Sequence, residues 1–547
     1  MKTIKNIIGI LAAAATMTAC VGDLNVTPID PNSDTVEKVL VSQAALDSYI
    51  SGVYLGFATS GYYGPNGDPS ISGLDGGASQ YIRGLYHHEE LTTDESVCGW
   101  NDQTIKNFHY MNWTTDDTFI YAFYSRIFMV VGAANEFIRE VAKLNYDPAL
   151  TKRYVDEARV LRAIAYYHAI DCFGNVPFAT EESVVGETPK QIARTDLFKW
   201  LDRELNDIIE AGNLPGKNAV VPGHVSMGAA KFLLAKLYLN AEVFTGTPMW
   251  NDCAKVLTSL MNDGYSLHTE SKGGVYSAYQ ELFLADNDQQ CTDEIIFAIQ
   301  QDGLYTQSYG CTNYLIFAST GGTMNAKQIG ISSGWGGLRT TPQFVDKFDA
   351  AKDVRYLLYD TAKSTADVEA MPEGTDKEKA AKEAALKNIQ KKEIDDIGNF
   401  PDGYGFQKFL NMNSNGTPGK EDGFVDTDFP MMRYADVLLM AAECQAHGVT
   451  TIDGLSAFNQ VRARAGLPAA NGLTLPDILD ERARELYQEC WRRNDLIRFG
   501  LFTSADYVWQ WKGEVKEGRG VESYRALFPI PDSDRLANSN LEQNPGY

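Results

Sequence analysis

Apolar residues recur at helical spacing over several long stretches of this chain. Between 153 and 172, Val155, Ala158, Leu161, Ala165 and Ala169 fall three or four residues apart, on one face of a helix. The run stops at Phe173-Gly174-Asn175-Val176-Pro177, where a glycine and then a proline end it. The same period predicts helices over 196–211, with Thr195 as N-cap, and over 226–243, where Ala229, Ala230 and Ala235 sit beside Leu233, Leu234, Leu237 and Leu239. Another follows at 252–262, after the Thr247-Pro248 break, and the pattern resumes at 434–446, 452–465 and 476–488. Helices joined by short loops, with small residues at their contacts, predict antiparallel hairpins. The fold class is therefore mostly α, a tetratricopeptide-like helical-repeat scaffold.

Two stretches break the pattern. Residues 52–113 are rich in Gly, Tyr, Asp and Ser, and 265–429 is loop-rich with short strand-like pieces such as 294–299. Within the second, the Ala/Lys/Glu run 377–392 predicts a solvated surface helix with i, i+4 charge pairs. Loops carried on a rigid scaffold are where ligand sites concentrate.

Composition narrows the ligand. The 547 residues include 48 basic and 72 acidic side chains, a formal charge of -24, and this excludes nucleic acid and other polyanions, which need clustered Lys and Arg. Neutral ligands and proteins remain. The N-terminus adds a location. Lys2 and Lys5 precede an apolar run over 7–17, too short to span a bilayer and suited to a signal peptide. It ends at Met17-Thr18-Ala19-Cys20, which resembles a bacterial lipobox with Met in place of the usual Leu. The expectation is a signal peptide over 1–19, lipidation of Cys20, and an extended tether over 20–34 containing Pro28 and Pro31. The other seven cysteines are odd in number and scattered, so they form no disulfide framework. The histidines show no zinc spacing; His87-His88-Glu89-Glu90 lacks it.

Several motifs are spread over the chain. They include Asp156-Glu157-Ala158-Arg159 with Leu161-Arg162-Ala163 and Tyr166-Tyr167, the Phe173–Pro177 stop, and Leu234-Ala235-Lys236-Leu237-Tyr238-Leu239. Further on stand Asp353 with Arg355, Arg433-Tyr434-Ala435-Asp436, Val461-Arg462-Ala463-Arg464-Ala465-Gly466, Asp495-Leu496-Ile497-Arg498-Phe499-Gly500 and Leu527-Phe528-Pro529-Ile530-Pro531. Each fragment is weak alone; their joint order behind a lipobox is specific, and it resembles the SusD/RagB family of outer-membrane nutrient-binding lipoproteins. The charged motif residues read as structural, because Arg–carboxylate pairs between packed helices fix register. The resemblance implies one domain over 35–547, with its helical scaffold mainly in 120–264 and 430–500 and its ligand-binding loops in 52–113 and 265–429.

Within that family, the loop segments around 64–68, 81–86, 91–100, 308–310 and 330–335 resemble those of the starch-binding founding member. The resemblance carries an aromatic arc onto Trp100, Tyr309 and Trp335, with Arg83 as a polar neighbour and Asn101 or Asp102 as a second. Chemistry agrees with this assignment. A sugar ring offers an apolar CH face to a flat aromatic and a rim of hydroxyls to Arg, Asn and Asp. Three aromatics on a curve suit a coiling α-1,4-glucan. The resemblance further implies an outer-membrane, surface-facing lipoprotein with no catalytic role. It would bind starch-type maltooligosaccharides and pass them to a TonB-dependent transporter of the SusC type. No cofactor is required, although Asp286-Asn287-Asp288 is an oxygen-rich run that could hold a structural Ca²⁺, with Asp286 the foremost side-chain ligand.

Other readings stay open. A glycoside hydrolase needs two carboxylates at a set separation, and the acidic residues supply many pairs. Gly330-Ile331-Ser332-Ser333-Gly334 matches G-x-S-x-G, but Trp335-Gly336-Gly337 is a poor helix start after it. The same scaffold could also serve a different glycan or a peptide, or act as an adaptor.

Overall fold

A computed structural model describes residues 36–547 apart from Asp68 and Gln103. The expected signal segment, Cys20 and the tether lie outside the described residues. Helices of seven residues or more are numbered in chain order. First come α1 (Gln43–Ala58), α2 (Tyr81–Glu89), α3 (Thr118–Val141), α4 (Pro148–Cys172), α5 (Arg194–Ala211), α6 (Met227–Leu239) and α7 (Trp250–Met261). After them come α8 (Cys311–Ser319), α9 (Thr361–Glu369), α10 (Asp376–Ala385), α11 (Tyr434–Ala446), α12 (Gly454–Arg464), α13 (Leu475–Leu486) and α14 (Arg492–Arg498).

Consecutive helices pack side by side. The row runs α3, α4, α5, α6, α7 and then crosses to α11, which meets α12 and α13. The architecture is mostly α, as the periodicity predicts. Its strands are short and form two-stranded pairs, among them Val97–Cys98 with Leu338–Arg339 and Ile295–Ile299 with Phe429–Arg433. One continuous apolar cluster extends from Leu40 to Leu541.

Several boundaries differ from the sequence pattern for identifiable reasons. Helix α4 begins at Pro148, because Asp147 accepts hydrogen bonds from the Ala149 and Leu150 N–H groups and proline suits the first turn. Helix α5 begins at Arg194, so Thr195 lies inside it and the cap position is Ala193. The stretch 226–243 breaks at Asn240, whose Nδ2 donates to the Lys236 carbonyl and the Tyr167 hydroxyl. The surface helix α10 has no buried residue and ends at Ala385, short of residue 392.

The glycine-rich region 52–113 contains the end of α1 and all of α2. Glycine here marks close helix packing: a Cβ on Gly84 would lie 2.8 Å from Phe123, and one on Gly56 would lie 2.9 Å from Val130.

The charged motif residues form buried ion networks. Arg433 meets Glu294, Glu485 at 3.0 Å and Glu489 at 2.6 Å. Arg464 shares Glu294 and Glu485, and Arg355 adds Glu481 and Asp353. Together they tie a strand, α12 and α13 into one register. The seven described cysteines are all buried and unbridged.

Candidate functional site

The four ring and guanidinium positions expected to contact ligand converge on one surface, and short-range backbone chemistry brings them there. Val97 and Cys98 pair with Arg339 and Leu338, and the Gly99 N–H donates to the Gly337 carbonyl at 3.2 Å. Trp100 therefore emerges beside 335–337, and its Nε1 donates to the Trp335 carbonyl at 3.3 Å.

The segment 335–337 is itself fixed by the C-terminal end of α8. The N–H groups of Trp335, Gly336 and Gly337 donate to the Phe317, Thr320 and Ala318 carbonyls at 2.7, 2.9 and 2.7 Å. These carbonyls lie at the helix end, where few intrahelical donors reach them; only that of Phe317 also accepts from the Thr320 N–H, at 3.3 Å. The glycines have a steric reason. A Cβ on Gly334 would meet the Thr320 carbonyl at 2.0 Å, and one on Gly337 would meet the Trp100 indole at 2.6 Å.

Tyr309 stands two residues before α8. Its ring lies 6.1 Å from Trp335, and Trp335 lies 6.3 Å from Trp100. Phe424 extends the line, 5.7 Å from Tyr309. The interplanar angles along this path are 51°, 66° and 36°, so the four half-buried rings are tilted against one another and do not form a flat stack.

Arg83 lies beneath these rings, on the first turn of α2. Its guanidinium is 4.7 Å from the centre of the Tyr314 ring and 5.6 Å from that of Trp100, and Nη1 donates to the Tyr309 carbonyl at 3.4 Å. Its Nε is buried without a partner. Tyr314 in turn contacts His87 Nε2 at 3.2 Å. Burial raises the Tyr314 phenol well above its ordinary range and lowers His87 well below its own, so both are neutral.

Sequence reasoning missed three contributors. Tyr314 reads as an ordinary apolar position of α8, and Phe424 carries no signal in the sequence. Gln80 joins three elements: its Oε1 accepts from the Arg83 and Cys311 N–H groups, both at 2.8 Å, and its Nε2 donates to the Phe57 carbonyl. It thus caps both α2 and α8 and sets Arg83 against Tyr309.

Asn101 and Asp102 adjoin Trp100 and are exposed. The Asn101 side-chain oxygen accepts from Lys106 Nζ at 2.9 Å, so that oxygen already has a partner on its own loop.

Asp286 is elsewhere, in a cavity of about 630 Å³ lined by Asp286, Asp288, Asp302, Asp426, Asp428 and Lys420, among others. Its two oxygens accept from the Ser414 N–H and hydroxyl at 2.9 and 2.7 Å. Lys420 pairs with Asp302 and Asp426. Among the described residues Asp288 and Asp428 form no ion pair, Lys420 acts on them only from a distance, and burial raises both carboxyls, Asp428 well above its usual range. Hard oxygen donors short of positive charge fit Ca²⁺. Among the described residues, no three of these carboxylates lie within 4.8 Å of one another, so amide and backbone oxygens would complete any coordination shell.

Ser332 of the G-x-S-x-G run donates to the Asp422 carbonyl at 3.2 Å, and Gly330 ends a short helix over Ala326–Ile329. No strand-to-helix elbow presents this serine. No described helix is long and apolar enough to cross a membrane.

Comparison with known proteins bears on the fold and the family. Residues 293–547 match the SusD family. The chain is 31% identical to the starch-binding protein SusD of Bacteroides thetaiotaomicron, across 97% of this chain and 96% of that protein. It is 25% identical to a SusD-like protein of Bacteroides ovatus across 77% of this chain and 80% of that one. Among solved structures, surface glycan-binding protein A from Bacteroides thetaiotaomicron, in complex with laminarihexaose, superposes with a TM-score of 0.68 at 17% identity, covering 92% of this chain and 99% of that one. Mostly helical, aligned nearly end to end and more than 30% identical to a curated member, this chain belongs to the SusD family.

Proposed function

We propose that this protein is a non-catalytic, cell-surface binder of starch-type neutral oligosaccharides, and that it delivers them to a SusC-like TonB-dependent transporter in the outer membrane. The observation that carries this reading is the line of tilted rings, Trp100, Trp335, Tyr309 and Phe424, over the Arg83 guanidinium. The rings suit the CH faces of successive sugars, and their mutual tilt suits a coiling α-1,4-glucan. The 31% identical relative, a starch-binding protein, supports the same cargo. A second reading, a different glucan on the same surface, is favoured by the neighbour solved with laminarihexaose.

Calorimetry against maltooligosaccharides, cyclodextrin and laminarioligosaccharides separates the two. Trp100→Ala and Trp335→Ala should each weaken α-glucan binding about tenfold or more. Unchanged affinity in both would show that the site is elsewhere. Sustained release of reducing ends from amylose, abolished by one carboxylate substitution, would overturn the non-catalytic reading.

The proposal extends to an acyl anchor at Cys20 and to one Ca²⁺ in the Asp286 cavity, nearest Asp288 and Asp428. Incorporation of labelled fatty acid, lost in Cys20→Ser, tests the anchor. Added calcium should raise the melting temperature relative to chelator in the native protein and not in Asp428→Asn; no shift in the native protein would remove the ion from the scheme.

A further inference from the structure

Tyr62, Tyr63 and Tyr305 are 78%, 81% and 84% exposed, and no other described aromatic ring is exposed to that degree. Single exposed apolar residues are ordinary on a protein surface. These three are not scattered. All stand on the two loops that meet at the aromatic arc, where the Tyr309 hydroxyl donates to Asn66 Oδ1 at 3.0 Å.

Each loop has a fixed base. In the first, Arg126 on α3 is buried with no carboxylate partner. Its Nε donates to the Ser79 carbonyl at 2.6 Å and its Nη2 to the Ser60 carbonyl at 2.8 Å, pinning both ends of the segment 60–79. Between them Gly77 lies against Arg83 and Tyr309, where a Cβ would fall 2.6 Å from Arg83 Nη1 and 3.2 Å from Tyr309 Cβ. The tip closes with a hydrogen bond from the Gly67 N–H to the Gly64 carbonyl at 3.3 Å, which holds Tyr63 within a turn of Asn66.

In the second loop, Asp302 caps the turn that carries Tyr305. It accepts from the Leu304 and Tyr305 N–H groups at 2.8 and 3.1 Å and pairs with Lys420. Gly303 backs onto Phe424, whose carbonyl would lie 2.7 Å from a Cβ there. The described anchors fix the bases of both loops and leave the three rings outward, free to meet a ligand.

We infer that Tyr62, Tyr63 and Tyr305 form an outer ring of glycan contacts flanking the arc, and that they select for long neutral glucan chains over short ones. This rests on the glucan-binding reading of the arc. A short oligosaccharide fills the Trp100–Phe424 surface and ends there. A longer chain leaves that surface on the Tyr309 side and meets the exposed phenols, whose faces take CH groups and whose hydroxyls bond the sugar rim. A closed cyclodextrin has no free end to extend.

The test compares the native protein with a Tyr62→Ala/Tyr63→Ala/Tyr305→Ala variant, measuring affinity for maltotriose, α-cyclodextrin and amylose. The native protein should bind amylose more tightly per chain end than maltotriose. The variant should bind amylose about tenfold more weakly, while maltotriose and cyclodextrin change less than about twofold and the melting temperature holds. Equal losses for all three ligands, no loss for any, or a native protein indifferent to chain length would each overturn the outer ring and leave the arc standing. Absence of binding to all three by the native protein would remove the arc reading and the outer ring together.

Discussion

Gly337 decides where the Trp100 indole lies, and this makes it a sharper probe of the site than removing the ring. Gly337→Ala places a methyl group 2.6 Å from the indole. The ring must shift while the chain keeps its apolar content. The expected result is a glucan affinity about tenfold weaker with an unchanged far-ultraviolet dichroism spectrum; native affinity would mean that the position of the indole does not matter to binding. Arg83→Lys is the companion test. It keeps the charge but loses the planar group stacked between Tyr314 and Trp100, so affinity should fall by calorimetry despite the conserved charge. Legibility at this scale followed local context. Trp100, Tyr309 and Trp335 stand in glycine-rich loops, outside any helical stripe, and were readable as exposed. Tyr314 sits in α8 among Leu315, Ile316 and Phe317, so nothing local separates it from core. Phe424 and Gln80 acquire their roles only through partners far along the chain.

Among elements, α3 does two jobs. It packs on α4 in the scaffold and holds the loop 60–79 through Arg126. Burial lowers that guanidinium to about 10, a sign of how little countercharge surrounds it. Arg126→Met should leave the Ser60 and Ser79 carbonyls without this donor and cost about 1–3 kcal/mol. Amide hydrogen exchange should then quicken over 60–79 and not in α6 or α7; exchange unchanged in the loop would show that other contacts hold it. Arg433 is the stronger test of the scaffold, because it meets Glu294, Glu485 and Glu489 together. Arg433→Met leaves the first two to Arg464 and the third to Lys408, and the uncompensated buried charge should cost about 3–5 kcal/mol in denaturant unfolding. Helices α4 to α7 and α11 to α13 were legible because their apolar residues keep a helical period, whereas α1 and the 24-residue α3 were not among the predicted helices. Helix α2 was not legible, because Gly84 and the His87-His88 pair disguise a buried helix as a loop.

For the molecule as a whole, buried carboxylates set the pH dependence in two opposite ways. Burial raises Glu89 to about 8, with Asp171 sharing the single charge of Arg493, and raises Glu95 to about 7. A raised group favours the fold while protonated. Its contribution is complete below the unfolded value of 4.5 and is lost as pH climbs through about 7 to 8. Asp94 and Glu485 behave inversely. Burial works against their charge, but Arg492 for the first, and Arg464 with Arg433 for the second, outweigh it and hold each near about 2. Their contribution is present above the unfolded carboxylate range and is lost as pH falls toward about 2. The melting temperature should therefore peak near pH 4 to 5 and decline from about pH 5 to about pH 8. Glu95→Gln should flatten that decline between about pH 5 and 7, and an unaltered slope there would assign it to other groups. The mostly helical class was legible in the sequence, since period and order along the chain suffice for it. The continuity of one apolar cluster from Leu40 to Leu541 was not, because it depends on contacts between distant segments.

The aromatic arc is assembled from chain segments spread between Trp100 and Phe424, with Asn66 and Arg83 contributed from still earlier positions. No contiguous fragment carries it. On the proposed reading, affinity for sugar needs all of these segments folded together, and the reverse coupling follows: a bound glycan weights the equilibrium toward the folded arrangement of them all. At a ligand concentration one hundred times Kd this weighting is about 2.7 kcal/mol, so a binder of this design gains its greatest resistance to unfolding while it is loaded with cargo.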